Sequence, residues 1–77
     1  MLIRIDEIKI PERVRKDFGD LKNLAESIRR YGLINPITVM ASDDGYILIA
    51  GFRRLNAMKF LGNDTIPATV LSVKDAE

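Results

Sequence analysis

The sequence predicts an α+β fold: a small mixed β-sheet with two main helices, in the order β-α-β-β-α-β. Three features predict it. Apolar residues fall at helical spacing in two separate stretches, 21–28 and 52–61. Runs rich in isoleucine, valine and threonine stand before, between and after those stretches. Glycine, proline and an Asp-Gly pair mark the boundaries.

In chain order, Leu2 to Ile5 and Ile8 to Ile10 read as a first strand or two short extended pieces, ended by Pro11. Residues 11–19 read as an extended basic loop carrying Arg13, Arg15 and Lys16. The first helix follows, with Leu21, Leu24, Ala25 and Ile28 on one face and Asp20 as candidate N-cap. Arg29 and Arg30 sit in its last turn, where positive charge complements the helix dipole, and Gly32 stops it. Leu33 to Pro36 is a tight exit, Ile37 to Met40 a strand, and Ser42-Asp43-Asp44-Gly45 a hairpin turn. Tyr46 to Ala50 is almost continuously apolar, which predicts a strand buried on both faces. Gly51 breaks that strand. The second helix spans Phe52 to Leu61, with Phe52, Leu55, Met58 and Leu61 toward the core and Gly62 as its cap. Ile66 to Val73 is the last strand, with Pro67 at its start, and Lys74 to Glu77 fray.

The chain has 77 residues, the length of one domain, 1–77. It has no cysteine, which excludes disulfides, thiolate metal sites and cysteine nucleophiles, and no histidine, the commonest metal ligand and general base. Asp43-Asp44 and Asn63-Asp64 read as turn residues rather than ligands, so no metal site is predicted. Lys plus Arg number 12 against 11 Asp plus Glu, a net +1 that argues against a chain-wide electrostatic grip on nucleic acid. No apolar run approaches the roughly 20 residues of a membrane span, and the first residues lack a signal-peptide layout. A soluble, cytoplasmic domain with no membrane partner is expected.

The candidate site is the strand-to-helix turn Gly51-Phe52-Arg53-Arg54. A helix start presents unpaired amides and partial positive charge, which suits phosphate, and a glycine lets an anion approach the backbone. Two arginines there oppose the dipole, a cost that a bound anion offsets. From these residues alone, an anion site and an ordinary basic helix surface both stand.

The ordered set IPERVRKDF, LAESIRRYGLINPITV and DGYILIAGFRRLNAMKFLGNDTIPATV resembles the N-terminal domain of the ParB family over residues 3–73. Gly51, Arg53, Arg54, Ala57, Gly62, Ile66, Pro67 and Ala68 match the family's glycine-to-Ile-Pro-Ala pattern. Gly32, Leu33, Pro36 and Ile37 match its Gly-Leu-x-x-Pro-Ile piece, and Arg15 stands where its first box ends. The resemblance implies a fold shared with sulfiredoxin and with free-serine kinases. It also implies binding of CTP or another nucleotide, with Mg, and slow hydrolysis by a weak triphosphatase. Gly51, Phe52, Arg53 and Arg54 would hold the phosphates, Asn35, Pro36, Ile37 and Thr38 would wall the pocket, and Arg15 would close over the triphosphate. The implied setting is a chromosome- or plasmid-partition or DNA-regulatory protein. There, nucleotide governs association with a second copy as a homodimer, and DNA is read by a further domain.

Phe52 departs from the family, which has a glutamate there. Phenylalanine can organise neither metal nor water, so binding is expected ahead of turnover. Alternatives on the same fold are a serine-type small-molecule kinase or nucleotide hydrolase, and an interaction module without a ligand. For the kinase, Glu26 is the candidate base, against its plainer reading as a surface residue paired with Arg30. Sulfiredoxin activity is excluded by the lack of cysteine.

Overall fold

A computed structural model describes residues 1–15, 21–32 and 35–72. The strands are β1 (Leu2–Arg4), β2 (Ile8–Lys9), β3 (Ile37–Ser42), β4 (Gly45–Ala50) and β5 (Thr65–Leu71), and the helices are α1 (Leu21–Tyr31) and α2 (Phe52–Phe60). Two 3₁₀ turns, Ile5–Glu7 and Glu12–Val14, interrupt the N-terminal segment. The expected roles of Lys16, the Asp20 cap, Leu33, Ile34, Val73 and Lys74 to Glu77 lie outside the described residues.

The architecture is the expected α+β arrangement, with one sheet ordered β1-β5-β3-β4-β2. β3 and β4 form the predicted hairpin around Asp43-Asp44, and α2 carries the chain across to β5, which runs parallel to β3. The N-terminal segment does form two pieces, and they go to opposite edges: β1 pairs antiparallel with β5, β2 parallel with β4. On a flat sheet those edges would stand about 19 Å apart, four spacings of about 4.8 Å. The 3 residues between the two strands form a 3₁₀ turn, which rises only about 2 Å per residue. The sheet therefore curls until its edges draw together. Ile5 fastens the crossing point, buried at 7% exposure, with its N–H donating to the Asp64 carbonyl at 2.9 Å. Gly45 shows how tight the second edge is: a Cβ there would overlap the Glu7 carbonyl oxygen.

Alternation along the strands supplies one core face. Ile37 and Val39 of β3, Leu48 of β4, Ile66 and Ala68 of β5, and Ile3 of β1 point into it. α1 adds Ala25 and Ile28, and α2 adds Leu55, Ala57 and Met58. Ile37, Val39, Leu48, Leu55 and Ile66 are fully inaccessible to solvent. Each such side chain contributes about 1.5–3 kcal/mol relative to leaving it exposed.

Three expectations change. β4 is not buried on both faces: only Leu48 is fully buried, whereas Tyr46, Ile47 and Ile49 are half-buried and Ala50 is exposed. Both helices serve the one core face, so positions that alternate with it keep contact with solvent. α2 ends at Phe60 rather than Leu61, which becomes its half-buried C-cap, while Ala57 joins the core in full. The last strand starts at Thr65 and ends at Leu71.

Leu48→Ala is expected to cost about 2–5 kcal/mol, the range for emptying a buried leucine site. Urea unfolding checks it, as a lower midpoint with an unchanged slope.

Candidate functional site

The site begins with an irregularity in the sheet. Along the β3–β4 pair, Thr38 faces Ala50 and Val39 faces Leu48, so Ile49 is skipped. A bulge of this kind bends a strand and re-aims its side chains. The chain then reverses into α2 at Gly51, whose φ is +102°, in the left-handed region. An ideal Cβ on Gly51 would lie 2.6 Å from Cγ2 of Ile37. Gly51 is thus required by backbone angle and by packing, before any ligand is considered. It brings no side chain to cap α2.

Around this turn lies a cleft of about 540 Å³. Arg13 and Val14 of the second 3₁₀ turn and Leu24 of α1 line it. Ile49 and Ala50 come from the end of β4, and Gly51, Phe52, Arg53 and Arg54 from the turn and the first residues of α2. The lining therefore combines apolar residues with three arginines and, among the described residues, no carboxylate. The start of α2 adds the partial positive charge of its amide dipoles. The volume falls within the range of small-molecule sites, roughly 300–1,000 Å³.

Arg54 has a second engagement. Its Nη1 donates to the carbonyl oxygens of Asn35 and Pro36, both at 3.1 Å. The first turn of α2 is thereby tied to the segment leading into β3. A guanidinium has five N–H donors, so further donors remain on the group.

Of the residues singled out from sequence, Gly51, Phe52, Arg53 and Arg54 stand together at the cleft. Asn35 and Pro36 join them through the Arg54 hydrogen bonds rather than as lining residues. Ile37 forms no wall: it is fully buried under Gly51 and has no surface to offer. Thr38 is half-buried within β3 and is not part of the lining. Arg15 is also outside the lining, with its Nη1 at 3.6 Å from Glu12. Arg13, Val14, Leu24, Ile49 and Ala50 were not foreseen. For Arg13 and Val14 the missing signal is the 3₁₀ turn, because residues 11–19 read as an extended basic loop.

Glu26 is not at the cleft. It accepts hydrogen bonds from Nε and Nη2 of Arg29, and Arg30 stands farther off at 3.8 Å. The expected surface pairing is present, with Arg29 as the principal partner. The hydrogen bonds from Arg29 hold the Glu26 carboxyl below its ordinary range, which weakens it as a base. Among the described residues no group of three or more potential metal ligands comes together, and no helix is long and apolar enough to cross a membrane.

The sequence model of the ParB N-terminal domain matches residues 1–77. The probable plasmid-partitioning protein ParB of Xylella fastidiosa is 39% identical over 80 residues, covering 99% of this chain and 20% of that protein. The chain spans less than a third of the first curated relatives it matches. A C-terminally truncated ParB from Caulobacter crescentus, complexed with CTP-γ-S, superposes with a TM-score of 0.81 at 33% identity, covering 99% of this chain and 46% of that one. Sulfiredoxin from Arabidopsis thaliana superposes with a TM-score of 0.79 at 30% identity, covering 94% and 85%.

Gly51→Ala is expected to destabilise by on the order of 2–4 kcal/mol, from left-handed strain plus overpacking against Ile37. Urea unfolding without any ligand checks it. Arg29→Ala is expected to raise the Glu26 titration toward ordinary carboxylate values, read by NMR of its side-chain carboxyl. Because the folded value is depressed, the pair's contribution is present above about pH 4.3, the unfolded value, and is lost as pH falls through the folded one. In Arg29→Ala the acid loss of stability from this pair disappears.

Proposed function

The chain belongs to the ParB N-terminal domain family, and we propose that it is a nucleotide-binding domain that takes CTP or a related nucleotide in the cleft at the start of α2. The observation that carries this reading is the lining itself. Three guanidiniums and a helix start supply positive charge at one place, and Val14, Leu24 and Ile49 supply apolar surface beside it. An anion with an apolar ring matches both. The phosphates would meet Arg53, the remaining edge of Arg54 and the opening amides of α2. The base would lie toward the apolar wall. Magnesium would arrive on the nucleotide's own phosphates, since the lining offers it no described carboxylate.

This reading is of binding ahead of turnover. Phe52 has no group to accept a proton or hold a water, and Glu26 is engaged by Arg29 away from the cleft. Bound phosphates would neutralise the guanidinium cluster and fix the second 3₁₀ turn against α2, changing the surface offered to a second copy. In a longer partition protein, that change would reach a domain that reads DNA.

Calorimetric titration with CTP, ATP and CMP tests the proposal. Saturable binding of a nucleotide is expected. Arg53→Ala is expected to weaken it by about 10- to 100-fold, the value of a charge-assisted hydrogen bond, with thermal melting confirming that the variant is folded. No heat at millimolar nucleotide from folded protein overturns it.

A further inference from the structure

We infer that residues 8–15 form a strap that lifts from β4 as a unit, and that the Lys9–Asp44 ion pair at the hairpin is its latch. The strap brings Arg13 and Val14 to the cleft. The latch therefore sets how often that part of the lining is in place, whatever the cleft takes.

The strap is fastened unevenly along its length. At its root, Ile5 is buried and its N–H donates to the Asp64 carbonyl at 2.9 Å. The Glu7 carbonyl then lies against Gly45, and β2 adds a ladder only 2 residues long, Ile8 opposite Tyr46 and Lys9 opposite Ile47. Beyond Lys9 no strand pairing with β4 continues among the described residues. The amides of the second 3₁₀ turn are spent within the turn, Val14 on the Pro11 carbonyl and Arg15 on the Glu12 carbonyl, both at 3.1 Å. What holds this half down is the packing of Ile10 and Val14, both only half-buried, against the core cluster. Few buried apolar contacts and a short ladder mark a segment that opens locally, ahead of the global fold.

The charged fastening of β2 comes from the hairpin. Lys9 Nζ donates to Asp44 Oδ2 at 2.6 Å, and Ser42 Oγ donates to Asp44 Oδ1 at 3.3 Å, which orients the carboxylate. Asp44 thus does more than shape its turn. It ties the third element of the chain to the β3–β4 connection, across 35 residues of sequence. The tie is remote from what it governs: between Tyr46 and Gly51 the strand rises roughly 17 Å, at about 3.4 Å per residue. Both partners are exposed, so the pair shifts the open population modestly rather than deciding whether the domain folds.

Trypsin at low concentration tests this, because cutting the Arg13–Val14 bond requires the residues on both sides of it to leave the body of the domain. Under those conditions the rate follows the population of the open form. Asp44→Asn and Lys9→Met are each expected to speed that cut by about 2- to 5-fold, the range for an exposed ion pair, as timed by mass spectrometry of the fragments. The Arg53–Arg54 bond in α2 is expected to be cut no faster in either variant. The double variant is expected to match the single ones, since either change alone breaks the pair. An unchanged rate at Arg13–Val14 in both variants, equal acceleration at Arg53–Arg54, or a double variant opening as the product of the two singles would overturn the latch.

Discussion

A side chain at position 51 would collide with Ile37, and much of the domain's working end follows from that steric limit. The absence of a Cβ lets the end of β4 turn directly over the start of β3. α2 therefore opens beside the segment that feeds β3, close enough for Arg54 to reach the Asn35 and Pro36 carbonyls. The same turn puts Phe52 and Arg53 along the cleft. Packing below the turn and chemistry above it share one glycine. Loss of function at that position reports on the fold before it reports on a ligand.

Basic residues gather at the cleft. Cations at a helix start are normally unfavourable by a few tenths of a kcal/mol each, and two occupy successive positions at the opening of α2. A third lines the same cleft from a separate element. Elsewhere several basic groups are matched: Arg4 with Asp6, Lys9 with Asp44, Arg29 with Glu26. These surface pairs are worth little individually. The cleft gathers three arginines, with no described carboxylate among its lining residues.

The fold was largely legible in the sequence, for identifiable reasons. Leu21, Leu24, Ala25 and Ile28 announced α1 by spacing, and Asp43-Asp44-Gly45 announced the hairpin. The turn at Gly51 was legible because a glycine interrupts an apolar strand there, while the arginines after it read either as an anion site or as an ordinary basic helix surface. What was hidden depended on contacts distant in sequence. The skipping of Ile49 arises from register with β3, which no local pattern encodes. Burial of β4 was overestimated because an apolar run does not say how many faces will be covered. Ile37 looked like a pocket wall by position, yet it lies sealed under Gly51. Arg13 and Arg15 are alike as letters, yet Arg13 is among the cleft's lining residues and Arg15 pairs with Glu12.

Leu2 to Lys9 close both margins of the sheet, with β1 against β5 and β2 against β4. That arrangement has a consequence for how the polypeptide acquires its shape. The earliest-synthesised strands have no pairing surface until the latest ones exist, and Ile5 waits for the carbonyl of Asp64. Such distant pairings make loop closure expensive and place assembly late. On the ribosome, the domain would stay open until β5 emerged from the exit tunnel, and then close as a hoop in a single cooperative event.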